Sequence, residues 1–163
     1  MKVLFIQTGG TIDKDYFEKV KSYAFEIHEP AVASIFSGIA VNFDYEIKSV
    51  LKKDSMDMTT QDRLFIKNAC ANATQDKIII THGTDTMVDT AKVLHDVKGK
   101  TIVLTGAMYP EVMKRSDAAF NVGTAVGAIN LLGEGVYIAM SGRIYPWDNV
   151  KKDLQTGKFV NIK

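Results

Sequence analysis

Cysteine is nearly absent from this chain of 163 residues: Cys70 is the only one. An intramolecular disulfide and a cysteine-rich zinc site are therefore excluded. Charge of one sign is lacking too, because 20 Lys and Arg face 19 Asp and Glu for a net charge of +1. Such a balance sets up no general field for polyanions, so nucleic acid is not an expected partner. Long apolar runs are missing, and nothing approaches the roughly 20 residues of a membrane span. The first apolar run, Val3 to Ile6, is far shorter than the core of a secretion signal, and the expected compartment is the cytoplasm. With only three histidines, no pair has a metal-ligand spacing, and no metal is expected. Neither a G-x-G-x-x-G fingerprint nor a P-loop is present, and no organic cofactor is expected.

What the chain does have is length for one domain and ordinary globular composition, 46% hydrophobic and 24% charged. A domain of this size buries roughly 70% of its unfolded surface and needs no staples. Short β-rich runs alternate with longer helical patterns. Lys2 to Gln7, Lys77 to Thr81, Thr101 to Thr105 and Val136 to Met140 are apolar runs that predict buried strands. Val41, Phe43, Tyr45 and Ile47 alternate, which predicts a strand with one wetter face. Pro30 opens a helix with Val32, Ile35, Phe36 and Ile39 at helical spacing. Thr59 with Asp62 predicts a capped helix start. Further helices are expected from about Asp85 to Asp96 and from Ala118 to Leu132, the latter with Gly123, Ala125, Gly127 and Ala128 for close packing on a sheet. Apolar strands alternating with helices call for an α/β fold, a three-layer α/β/α sandwich with a largely parallel sheet, Rossmann- or flavodoxin-like.

Three of the strands end in similar polar clusters: Thr8-Gly9-Gly10-Thr11, Thr81-His82-Gly83-Thr84-Asp85, and Thr105-Gly106-Ala107. Each alone reads as turn chemistry, with Thr84 or Asp85 as a helix N-cap. In a parallel sheet, however, the carboxyl ends of the strands share one rim, where ligands bind. Glycine lets backbone approach a ligand closely. Three clusters on one rim point to a small-molecule site.

The segments Thr8–Ile12 (TGGTI), Ile80–Thr86 (ITHGTDT) and Val103–Met108 (VLTGAM) resemble the bacterial-type L-asparaginase family, the threonine amidohydrolases. Ser116–Asn121 and Met140–Lys152 add weaker matches, so the resemblance spans nearly the whole chain. It is to the N-terminal domain, which implies one asparaginase N-terminal-type domain over residues 1–163 without the smaller C-terminal domain. The resemblance implies hydrolysis of L-asparagine to L-aspartate and ammonia through an acylated threonine. A related small amide such as glutamine is the near alternative, and a non-catalytic amino-acid-binding domain is the alternative from another class. By motif Thr11 is the nucleophile, and Thr84 and Asp85 form a relay with a lysine. The family pattern of Val, one residue, then Lys gives Lys152, with Lys151 as the competing assignment. A loop tyrosine is implied at Tyr23, with Tyr16 as the other candidate. Gly10, Ser55, Met56, Gly83 and Ala107 fall at substrate-binding positions. Ser55-Met56-Asp57-Met58 departs from the family's Ser-Gln-Asp-Met at Met56, which removes one polar contact to the substrate's α-groups. A homo-oligomer is expected, because in long family members a neighbouring subunit closes the pocket.

The chemistry asks for these residue types. A threonine hydroxyl is a weak nucleophile until a base takes its proton, and backbone amides at glycine-rich turns can stabilise a developing oxyanion. The remaining conspicuous residues have structural readings. His82 is expected to be a hydrogen-bonded core histidine, His28 to mark a helix start, His95 to face the negative end of a helix, and Cys70 to pack. Trp147 beside Tyr145 is a candidate interface anchor.

Overall fold

The computed structural model describes residues 1–16 and 25–163. In chain order the main elements are β1 (Lys2–Gly9), β2 (Lys14–Tyr16), β3 (Phe25–Ile27), α1 (Ala31–Phe36), β4 (Asp44–Lys53), α2 (Thr60–Ala71), β5 (Lys77–Thr81), α3 (Met87–Leu94), β6 (Thr101–Thr105), α4 (Ala118–Ile129), β7 (Gly135–Met140), β8 (Arg143–Pro146), β9 (Lys151–Lys152) and β10 (Phe159–Val160). Two single 3-10 turns, Thr11–Asp13 and Ser55–Asp57, follow β1 and β4.

Six strands form one sheet in the order β4-β1-β5-β6-β7-β8. The first five are parallel, and β8 runs antiparallel to β7. Numbered among themselves, the five parallel strands run 2-1-3-4-5, the flavodoxin-like order, whose switch point lies between the first and third strands. Here those strands are β1 and β5.

The central strands are apolar on both sides because both sides are covered. Alternate residues Leu4, Ile6, Ile78 and Ile80 meet Ile66 and Cys70 of α2 and Met87, Ala91 and Leu94 of α3. Val3, Phe5, Ile79 and Val103 meet Val32 and Ile35 of α1 and Val122, Ala125 and Ile129 of α4. Helix α2 starts at the expected capping box, with Thr59 Oγ1 accepting from Asp62 N and Asp62 Oδ2 accepting from Thr59 N.

Several expectations shift, among them the end of α4, which lies at Ile129 and not Leu132. Helix α1 stops at Phe36, because Gly38 turns the chain at φ 80°, and Ile39 is left exposed. Strand β4 begins at Asp44 rather than Val41, and Phe43 and Tyr45 instead stack edge-on around Phe36. Helix α3 spans Met87–Leu94, two residues inside each expected end. Gly123 and Gly127 do not mediate close packing: both lie on the exposed outer side of α4 with open space around them. Ala125, one turn around, makes the contact with the sheet.

Candidate active site

Strands β1, β5 and β6 lie side by side and parallel, so the turns that follow them share one rim. The threonines at the ends of β1 and β6 serve the sheet. Thr8 Oγ1 donates to Thr81 O at 2.8 Å and Thr105 Oγ1 to Ala139 O at 2.9 Å, each tying its strand end to a neighbour. The glycines that follow are pressed backbone to backbone. A Cβ on Gly10 would lie 2.3 Å from Gly83 N, and one on Gly106 would lie 2.3 Å from His82 O. Gly10 also has φ 88° and ψ −176°, a region essentially confined to glycine. Thr11 and Thr84 thus follow two glycines that touch.

The turn after β5 is held from beneath. His82 is fully buried; its Nδ1 donates to Gly83 O at 2.7 Å and its Nε2 lies 2.8 Å from Thr90 Oγ1. Burial pushes its pKa down to about 4, so the ring is neutral, with the proton on Nδ1 because a carbonyl only accepts. His82 is a strut. Ser55 packs on the other side of Gly83, and its carbonyl accepts from Thr86 Oγ1 at 2.7 Å. Ser55 is 1% exposed, and its hydroxyl has no hydrogen-bond partner among the described residues. A buried hydroxyl without a partner is an uncommon cost in a folded chain.

The lysine comes from the far end of the sequence. Strands β9 and β10 form a two-stranded ribbon in which Lys152 pairs with Phe159. Phe159 is buried in the core, and Tyr145 of β8 donates its hydroxyl to the Phe159 carbonyl at 2.7 Å. Neighbouring residues on a strand point to opposite faces; Lys151 is exposed, whereas Lys152 turns inward and is 12% exposed. Lys152 Nζ donates to Thr84 Oγ1 at 2.9 Å and to Asp85 Oδ1 at 2.6 Å. Thr84 is buried, and the Asp85 side chain is 53% exposed and open to a ligand.

The motif Ser116–Asn121 supports the third turn. The Asp117 carboxylate accepts from Met108 N and Tyr109 N, and Asn121 Nδ2 donates to Gly106 O at 2.9 Å. Ala107 is 1% exposed and belongs to the same buried cluster as Ile12 and Ala118. Met56 is 70% exposed and sits one residue beyond Ser55, its backbone amide bound to Asp54 Oδ1. Lys14 joins the first loop to this segment through an ion pair with Asp54 at 2.8 Å, which lowers the Asp54 pKa. Tyr16 is exposed and stacks on Phe25; Tyr23 lies outside the described residues. Burial lifts the Cys70 thiol to about 12, so it is inert packing. Trp147 is partly buried against the core and lies against His95. Among the described residues no cluster of His, Cys, Asp or Glu is placed to hold a metal. A groove of about 460 Å³ between β4 and α2, lined by Glu46, Lys48, Phe65 and Asn68, includes none of these rim residues.

One site feature was not foreseen. Asp13, two residues past Thr11, is 3% exposed. Its Oδ1 accepts from Ala31 N at 2.8 Å, the first amide of α1. Desolvation raises its pKa to about 6 against the lowering effect of that hydrogen bond. Because the folded value lies above the ordinary 3.8, the folded state binds the proton more tightly, and stability present at acid pH is lost as pH rises through 6. Asp13→Asn should therefore stabilise the protein by up to about 3 kcal/mol at pH 8 and have little effect near pH 4; urea melts at the two pH values measure this. No local pattern announces Asp13, since its partner lies 18 residues downstream.

A doubly wound α/β sheet with hydroxyl, amine and carboxylate groups gathered beside its switch point belongs to the class that binds small polar molecules at that rim. Residues 2–158 match the family described as Asparaginase, N-terminal, and the chain belongs to the asparaginase family. It is 32% identical over 160 residues to the L-asparaginase of Thermococcus kodakarensis, covering 93% of this chain and 48% of that protein. It is 32% identical over 168 residues to a probable periplasmic L-asparaginase of Haemophilus influenzae, covering 94% of this chain and 47% of that one. The solved structure of the thermostable L-asparaginase from Thermococcus kodakarensis superposes with a TM-score of 0.84 at 29% identity, covering 99% of this chain and 51% of that chain. The chain thus spans about half the length of these relatives. No helix among the described residues is long and apolar enough to cross a membrane.

Proposed function

We propose that this chain is an amidohydrolase that converts L-asparagine to L-aspartate and ammonia through an acyl-enzyme on Thr11. The observation that carries the reading is the Thr84–Lys152–Asp85 chain of hydrogen bonds, beside a Thr11 whose hydroxyl has no partner among the described residues. In the first step the Thr11 hydroxyl oxygen adds to the side-chain amide carbon. The hydroxyl proton passes to the departing nitrogen, the C–N bond breaks and ammonia leaves. In the second step water adds to the ester, the ester C–O bond breaks, and aspartate and the free Thr11 hydroxyl are restored. Lys152 fixes the Thr84 hydroxyl as a proton carrier, and Asp85 holds Lys152 while its exposed oxygen remains available to the substrate ammonium. Backbone amides of the 10–11 and 83–84 turns supply donors for the developing oxyanion. Ser55, with its unpaired hydroxyl, offers a contact to the substrate's α-groups. Tyr23 is the loop tyrosine of this proposal. A cytoplasmic location and an assembly of identical chains complete it, tested by cell fractionation and sedimentation velocity.

Purified protein incubated with L-asparagine should release ammonia and aspartate in equal amounts. Calorimetric binding of asparagine without ammonia release would replace this reading with that of an amino-acid-binding domain.

Met56 sets the affinity. A thioether donates no hydrogen bond, and a hydrogen bond to a charged group is typically worth about 1.5–3 kcal/mol. The α-groups do not react, so a contact to them acts on ground and transition states alike. Met56→Gln should lower KM about tenfold with kcat little changed. Because residue 56 is exposed in this structure, the melting temperature should stay constant. An unchanged KM would mean that residue 56 does not face the substrate.

A further inference from the structure

The turn that presents Thr11 is tied to β4 through Gly10 N and Lys53 O, to the loop after β6 through Ile12 O and Glu111 N, and at four points through residue 13. Asp13 N donates to Gly10 O at 3.2 Å, and Asp13 O accepts from His28 N at 2.9 Å. The carboxylate adds two more ties, to Ala31 N at 2.8 Å and to Thr81 Oγ1 at 3.4 Å. One residue therefore joins the Thr11 turn to the segment leading into α1 and to the end of β5, which carries Thr84 and Asp85. A neutral isostere could accept the same hydrogen bond from Ala31 without the cost of burying a charge. Carboxylates that a fold holds against its own stability are concentrated at functional sites.

We propose that Asp13 is a positioning residue for Thr11: its ionised carboxylate draws the 11–13 turn against α1 and β5, and protonation slackens that hold and switches the rim to a low-activity state. The proposal rests on the Thr11 reading above. A charge-assisted hydrogen bond is roughly twice as strong as a neutral one, so the tie to Ala31 weakens when Asp13 takes up a proton. Thr11 then occupies its attacking position for less of the time. That geometry matters in the bond-forming step, so the loss falls on kcat and not on KM.

Among the described residues, charged groups approach Asp13 from several elements. From β4, Lys52 lowers the Asp13 pKa, and its ammonium is tied to Glu29 at 3.1 Å. The segment before α1 brings His28 and Glu29. The turn's own continuation brings Asp15 and also Lys14, which is paired with Asp54. Glu111 arrives from the loop after β6, donating its amide to Ile12 O and accepting from Ser34 Oγ. From β1 and β5 the facing side chains are the uncharged Gln7 and Thr81. Burial raises the Asp13 pKa to about 6, within the pH range of the test below. His28, whose backbone amide donates to Asp13 O, lies beside the turn, so His28→Gln is the control.

The test is the pH dependence of kcat and KM on asparagine between pH 5 and 8, with amide NMR of the same proteins. For the parent chain, kcat should fall about tenfold towards pH 5 with its midpoint near 6, at constant KM. Asp13→Asn should stay at the low-pH level throughout and lose the inflection, while His28→Gln keeps it. The Ala31 amide resonance of the parent should shift with the same midpoint, and that of Asp13→Asn should not. The titration of the parent's Ala31 amide needs neither turnover nor a folded variant, so a failed activity assay leaves it decisive. An Ala31 resonance that does not titrate in the parent, or an Asp13→Asn enzyme with the parent's kcat at pH 7.5, overturns the proposal.

Discussion

Thr11→Ala should reduce asparagine turnover by about four to six orders of magnitude, and Lys152→Met by about two to four, whereas Lys151→Met should stay within about threefold of the parent. The contrast between the two lysines is set by strand geometry. They are neighbours on β9, yet Lys152 alone reaches Thr84 and Asp85, while Lys151 is exposed. Removing the Lys152 ammonium leaves Asp85 half in water and not stranded as a buried charge. The fold should therefore lose no more than about 1 kcal/mol, and melting temperature separates a chemical from a structural effect. Residues that act as one unit are not additive, so the double variant should be scarcely slower than Thr11→Ala. Equal small losses for Lys151→Met and Lys152→Met would remove the relay from the mechanism.

Much of this arrangement is legible in the sequence because it is carried by local patterns. Runs such as Lys77 to Thr81 are apolar on both faces, and only a strand covered on both sides uses that pattern. The TGGTI and THGTDT segments lie at strand ends, and a parallel sheet puts such ends on one rim whatever the strand order; they meet here because β1 and β5 are neighbours. Pairings made at long range leave no comparable mark. Helix α1 ends where Gly38 turns left-handed, although Ile39 continues the helical spacing. Strands β9 and β10 have two residues each, too few for any periodicity, so in the sequence only family spacing separates Lys152 from Lys151, whereas in the fold Lys152 turns inward and Lys151 outward. The glycines of α4 suggested close packing because composition does not say which side of a helix faces the sheet. His82 and Asp13 are the opposite pair. The histidine's neighbours in sequence are its neighbours in space, whereas the aspartate's partner depends on where α1 begins.

Gly10→Ala should lower the melting temperature by roughly 5–20 °C, while Gly99→Ala should lower it by only a few degrees. Both glycines have positive φ, 88° and 69°, so both variants carry backbone strain of order 1–3 kcal/mol. Gly99 has nothing within 4 Å of an added Cβ, and strain is its whole cost. At Gly10 the new methyl would meet Gly83 N at 2.3 Å and Gly83 Cα at 2.4 Å. Those are backbone atoms of a turn braced by His82 on one side and Ser55 on the other, so they cannot swing away as a side-chain tip would. The two turns have to separate, which adds about 1–3 kcal/mol of overpacking. Separation also draws Thr11 away from Thr84 and its lysine, and misplacement of about 1 Å at a reacting group can cost a hundredfold in rate. Gly10→Ala should accordingly lose turnover at temperatures where circular dichroism shows it fully folded, and Gly99→Ala should not. A Gly10→Ala protein with the stability and turnover of Gly99→Ala would mean that the turns after β1 and β5 do not touch. Thr11 and the Thr84–Lys152–Asp85 chain would then belong to separate places on the rim, and a mechanism that uses them together would fail with that contact.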